Sequence, residues 1–128
     1  MSNILWILII SAIIRIGPII YLSTFESITK YPVQLTLTDI DYKVYTDAAL
    51  LYDSPYERHT YRYTPLLAYT MKFNDQYEYA GKIFLVLGDL AAICFLWAIF
   101  KGKNFQSAIT KIYAYNPIFI YLTVRGSC

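Results

Sequence analysis

Apolar positions along the chain gather in three runs. The first is Ile4 to Leu22, interrupted by Arg15 and by Gly17-Pro18. It is close to the ~20 residues that cross a hydrocarbon core. A cleaved signal peptide would need a basic leader and a short apolar core ahead of small residues. Met1-Ser2-Asn3 carries no charged side chain and Arg15 lies inside the apolar stretch, so an uncleaved span over about 4–22 is expected. The second run, Ile83 to Phe100, is apolar except for Asp89 beside Gly88, and Lys82 and Lys101 bracket it. It predicts a transmembrane helix over about 83–100. The third, Ile112 to Val124, is broken at Asn116-Pro117 and stops at Arg125. About 13 residues are few for a full span, which leaves a re-entrant or interfacial segment or two helices meeting at the break.

The stretches between the runs are polar. Residues 23–79 hold eight acids against five bases, too many charges for a span. Within them Asp47 to Leu51 weakly favours helix, and Ser54-Pro55 reads as a turn. Thr64-Pro65 before Leu66, Leu67 and Ala68 reads as an N-cap with proline at the first helical position. A short surface helix from Pro65 to about Phe73 is expected. The loop 101–111 carries Lys101, Lys103 and Lys111 and no acid. The positive-inside rule puts that loop in the cytoplasm and 23–79 on the opposite side. The whole is expected to be a single all-α membrane domain, 1–128, with two to three transmembrane helices and a helical external loop.

Composition agrees. The chain is 57% hydrophobic and 16% charged, where soluble domains run about 45–50% and about 25%. Its 14 tyrosines suit membrane interfaces and sugar-lined clefts alike. A net charge of +2, with no basic stripe interleaved with aromatics, argues against nucleic acid. Cys94 lies in an apolar run and Cys128 is the last residue, so no disulfide framework is expected. The single His59 leaves no histidine-based metal cluster.

Three groups of residues can carry chemistry. In Thr38-Asp39-Ile40-Asp41-Tyr42, two carboxylates two apart share one face if the segment is extended. Held close, they repel and push one pKa upward toward a proton acceptor near neutral pH. Alternatively, Asp39 and Asp41 are oxygen ligands for a divalent cation, or simply part of an acidic loop. Arg58 and Arg62 stand among Tyr56, Tyr61 and Tyr63. Two arginines framed by rings can grip a phosphate, and the same pattern can anchor a chain at lipid headgroups. Asp89 inside a span costs at least about 2.5–3.5 kcal/mol near the bilayer centre and calls for a partner, for which Arg15 is the candidate.

The order of these segments resembles a known family. Thr38 to Ala49 and Ser54 to Leu67 stand almost as in the catalytic subunit of GPI mannosyltransferase I, although Leu37 replaces an aromatic or basic lead-in. Gly81-Lys82, Asp89-Leu90, Asn116-Pro117 and Arg125-Gly126-Ser127 follow in the same order. The resemblance implies a GT-C architecture in the endoplasmic reticulum membrane, with 23–79 lumenal. It implies transfer of the first mannose, α1,4 and with inversion, from dolichyl-phosphate mannose to glucosaminyl-phosphatidylinositol, usually inositol-acylated. Asp39 is then the expected general base and Asp41 its assistant, with Arg58, Arg62, Tyr61 and Tyr63 on the substrates. A small stabilising membrane subunit is implied as a partner, and a divalent cation stays open. The family's enzymes are longer, so the chain is expected to be an N-terminal portion. The alternative is a small non-catalytic membrane subunit that uses its acidic loop for contact.

Overall fold

The computed structural model describes residues 2–28, 38–50, 53–77 and 79–127. Among them the regular structure is helical, as expected. In order come α1 (Ser2–Ile28), α2 (Ile40–Leu50), α3 (Pro65–Met71), α4 (Ala80–Ile99), α5 (Gln106–Ala114) and α6 (Pro117–Arg125). Short 3-10 turns sit at Pro55–Glu57 and Lys72–Asp75. Among the described residues, two helices are long and apolar enough to cross a membrane, over Ile4–Leu22 and Ala80–Ile99. Of the loop read at 23–79, α1 takes the start, through Ile28, and residues 29–37, 51–52 and 78 lie outside the described residues.

Helices α1, α4, α5 and α6 pack on one another as a bundle. The buried positions of α1 are Ile7, Ser11, Arg15 and Ile19, one row of fourth residues along the helix. Leu5, Trp6, Ile9, Ile10, Ile13 and Ile20 of the same helix face outward. Helix α4 buries Lys82, Val86 and Ile93 and turns Phe84, Leu87, Phe95 and Ile99 outward. Helices apolar all round, with polar groups on the buried stripe, suit a hydrocarbon surrounding. The helix runs unbroken through Pro18, although proline cannot donate to the carbonyl one turn earlier.

The third apolar run is a helix pair meeting at the break. Asn116 Oδ1 accepts from the Ile118 N–H at 2.9 Å, and Pro117 opens α6, where a missing N–H costs nothing. Gly126 closes α6 at φ 79°, the left-handed conformation that favours glycine. Helix α5 starts at Gln106, so the second half of the stretch read as a loop at 101–111 is helical. The Gln106 amide donates to the Trp97 carbonyl at 2.7 Å, and α5 buries Thr110 and Ala114 while Lys111 faces out. Charge marked the outer face of a helix there and hid its inner face.

Helices α2 and α3 form a second lobe with the two 3-10 turns. Its core is Tyr42, Val44, Tyr45, Ala48, Ala49, Tyr61, Ala68 and Met71. Helix α2 begins at Ile40, well before the expected Asp47. The helix expected from Pro65 to about Phe73 is present as α3, with the 3-10 turn continuing from Lys72. The Tyr61 hydroxyl donates to the Thr64 carbonyl at 2.5 Å and accepts from the Ala68 N–H at 3.2 Å, satisfying a backbone donor in the first turn of α3.

Candidate functional site

Asp39 sits immediately before α2, so the Asp-x-Asp stretch is a helix start and not an extended strand. The Asp39 N–H donates to the Arg125 carbonyl at 2.9 Å. Its Oδ2 accepts from the Ser127 hydroxyl, and its Oδ1 lies 3.6 Å from Arg125 Nη2. The backbone N–H groups of Asp41 and Ile40, at the start of α2, also favour its ionised form. The Ser127 bond holds the Asp39 carboxyl below the usual carboxylate range. Partial burial opposes this, and the Asp41 N–H and Arg125 reinforce it. The upward push expected from paired carboxylates is therefore not what Asp39 experiences. A helix start turns two N–H groups toward it, and α6 brings a hydroxyl and a guanidinium.

The neighbouring Tyr42 is held on two sides by glycine. A Cβ at Gly126 would lie 2.5 Å from the Tyr42 ring. A Cβ at Gly81 would collide with the Met71 sulfur and lie 2.9 Å from the Tyr42 hydroxyl. Asn74 joins the lobe to α4. Its Oδ1 accepts from the Gly81 N–H at 2.7 Å and the Tyr42 hydroxyl at 3.1 Å, and its Nδ2 donates to Thr46 Oγ1 at 2.8 Å. Lys82, 1% exposed, donates to Thr38 Oγ1 at 3.0 Å and lies 5.4 Å from the Tyr42 and Tyr79 ring centres. The segment Thr38–Tyr42 is thus fixed between the start of α4 and the end of α6.

The tyrosine–arginine segment packs against α2. Arg58 Nη2 pairs with Asp47 Oδ2 at 2.6 Å, and its Nη1 bonds Thr60. Arg62 is exposed. Tyr61 is buried, and Tyr63 meets the Tyr45 ring edge-on at 4.7 Å. The structure therefore brings Asp39 to Arg125 and Ser127, with Asp41 two residues on in the first turn of α2. It gives Arg58 to Asp47, leaves Arg62 on the surface and sets Tyr61 into the lobe core.

Within the bundle, Arg15 and Asp89 meet across 74 residues of sequence at 2.8 Å. Arg15 also donates to Ser11 Oγ at 2.6 Å and the Ala114 carbonyl at 2.9 Å. Asp89 accepts from Thr123 Oγ1 at 2.5 Å and the Tyr113 hydroxyl at 3.3 Å. One network therefore ties α1, α4, α5 and α6 together. The partner expected for Asp89 is the partner found.

Among the described residues, no group of three or more His, Cys, Asp or Glu side chains gathers as metal ligands would. Of the two aspartates expected as cation ligands, Asp39 already has a hydroxyl and a guanidinium against its carboxylate. Sequence reasoning did not single out Asn74, and it met Lys82 and Ser127 only within the motif order, with no role for either. Arg125-Gly126 after an apolar run carried a further signal, since it reads as a helix end with a basic last turn, and the next residue must leave the helix axis.

These features define a helical protein with two helices able to cross a membrane, an ion pair inside its bundle and an ionised aspartate fixed where bundle and lobe meet. No protein-family model and no solved structure matches the chain. Curated proteins do. The chain is 32% identical over 127 residues to GPI mannosyltransferase 1 of Gibberella zeae, covering 92% of this chain and 29% of that protein. It is 35% identical over 133 residues to GPI mannosyltransferase 1 of Kluyveromyces lactis, covering 98% and 32%. It is 34% identical over 102 residues to the GPI alpha-1,4-mannosyltransferase I catalytic subunit of Danio rerio, covering 73% and 26%. The chain belongs to the GPI mannosyltransferase 1 family and spans about a third of the length of the curated relatives it matches.

Proposed function

We propose that the chain is the part of a GPI mannosyltransferase that carries its acidic site. In this reading the protein adds the first mannose, α1,4, from dolichyl-phosphate mannose to glucosaminyl-phosphatidylinositol or its inositol-acylated form. It works in the endoplasmic reticulum membrane with the 23–79 segment in the lumen. The identity to named GPI mannosyltransferases over nearly the whole chain carries the reading.

The chemistry asked of the site is inverting transfer. The acceptor hydroxyl attacks the anomeric carbon as the bond to the carrier phosphate breaks on the opposite face. One base takes the hydroxyl proton. Asp39 is that base and Asp41 assists. Ser127 and Arg125 hold Asp39 in its ionised form, the form that takes a proton, while lowering its proton affinity. The departing dianionic phosphate needs positive charge at the membrane surface, and Arg58 and Arg62 are assigned to it, with Tyr61 and Tyr63 beside them. A small membrane subunit is expected to complete the assembly.

Complementation tests this. The chain, and separately the longest reading frame containing it, are expressed in cells lacking the first GPI mannosyltransferase, and surface GPI-anchored proteins are scored. Rescue by the longer frame is expected, with loss on Asp39→Ala at unchanged membrane insertion. Rescue by neither moves weight to a non-catalytic membrane subunit.

A further inference from the structure

We infer that Arg125-Gly126-Ser127, the end of α6, is the positioning clamp of Asp39 in the transfer reaction. The inference rests on Asp39 being the base. It is carried by contacts that bridge 88 residues of sequence. The Ser127 hydroxyl bonds one Asp39 carboxylate oxygen, and the other faces the Arg125 guanidinium at 3.6 Å. The Arg125 carbonyl takes the Asp39 N–H at 2.9 Å, so backbone as well as side chain is held. Gly126 makes the geometry available. Its φ of 79° turns the chain back after α6, and its missing Cβ lets the turn lie against the Tyr42 ring. A side chain there would lift Ser127 away from Asp39.

Among the described residues, charged groups near Asp39 come from α6, α4 and the first turn of α2. From α6 comes Arg125, and from α4 comes Lys82, which bonds the adjacent Thr38 at 3.0 Å. From the first turn of α2, which Asp39 precedes, comes Asp41. The Ser127 hydroxyl and the Arg125 guanidinium favour the ionised form, and partial burial opposes it. Ser127 is uncharged, so its loss changes the orientation and proton affinity of Asp39 without changing the net charge of the site. Substituting it therefore separates positioning from simple electrostatics.

The clamp is tested on the longest reading frame carrying this sequence, purified in detergent. Carbodiimide-driven amine coupling needs a protonated carboxyl, so its pH dependence at Asp39, read by mass spectrometry, follows the Asp39 proton without requiring transfer. Ser127→Ala is expected to raise the coupling midpoint by about one pH unit. It is expected to move the acid limb of transfer upward by a similar amount and to lower turnover about tenfold at unchanged KM. Ser127→Thr restores both. Where Ser127→Ala is poorly recovered, Ser127→Cys, a weaker donor of similar size, gives a shift in the same direction. An unchanged coupling midpoint in a folded Ser127 variant overturns the clamp whatever happens to transfer. Full transfer by Asp39→Ala overturns the base assignment, and with it the clamp's part in catalysis, even if coupling shifts.

Discussion

In the bundle of α1, α4, α5 and α6, the buried side chains include Ser11, Arg15, Thr110 and Thr123, while Trp6, Ile9, Ile13, Phe95 and Ile99 face out. In the lobe of α2 and α3 the buried side chains are chiefly apolar and the charged ones stand outside. Tyr45, Ala48, Ala68 and Met71 are inside, and Lys43, Asp53, Glu57, Arg62 and Asp75 are outside. A lobe built the second way is driven together by burial of apolar surface from water. A bundle built the first way gains little from that force if lipid surrounds it, and leans instead on close packing and on polar links between helices. Asp39 lies where the two meet, tied to the lobe through α2 and to the bundle through Arg125 and Ser127.

The difference is broken most severely by removing one member of the bundle's ion pair. Arg15→Leu leaves Asp89 without its cation and is expected to cost about 3–5 kcal/mol. Thermal denaturation in detergent micelles checks this. Adding Asp89→Leu to Arg15→Leu recovers most of the loss, since an apolar pair of similar volume replaces the charges. Failure of the double variant to recover would mean that Thr123 and Tyr113 need Asp89 as an acceptor.

Smaller effects sharpen the contrast at the junction and in the lobe. Gly126→Ala combines an unfavourable φ with a contact against Tyr42 and is expected to cost about 1–3 kcal/mol. Tyr61→Phe removes the hydroxyl that bonds Thr64 and Ala68 and is expected to cost about 1–2 kcal/mol, read as a lowered melting midpoint of the lobe. Asp47→Asn breaks a pair whose side chains are 41% and 23% exposed. It is expected to cost less than about 1 kcal/mol, an effect that shrinks further as salt is added.

Asp39 contributes a pH dependence. Its folded pKa lies below the ordinary carboxylate value, chiefly through the Ser127 bond. Its contribution to stability is therefore present above that ordinary value and is lost as pH falls through the folded pKa. An acid titration of wild type and Ser127→Ala is expected to converge at the acid end and separate above it. Parallel curves would mean that Ser127 stabilises the fold by a route other than the Asp39 proton.

Residue type alone determined the helices able to cross a membrane, because long apolar runs around isolated Arg15 and Asp89 have few other solutions. Thr64-Pro65 marked a helix start and Asn116-Pro117 a break, since proline without its N–H is best accommodated in a first turn. The resemblance in motif order was legible for the same reason that the family is recognised at about a third of its length. Tertiary structure alone decided what Asp39 touches. Ser127 and Arg125 are remote in sequence, and a hydroxyl and a guanidinium reach the carboxylate only once α6 ends in a left-handed glycine against Tyr42. It also decided that Asp39 is held ionised, because a pKa follows from neighbours in space, and spacing along the chain names only the neighbour two residues away.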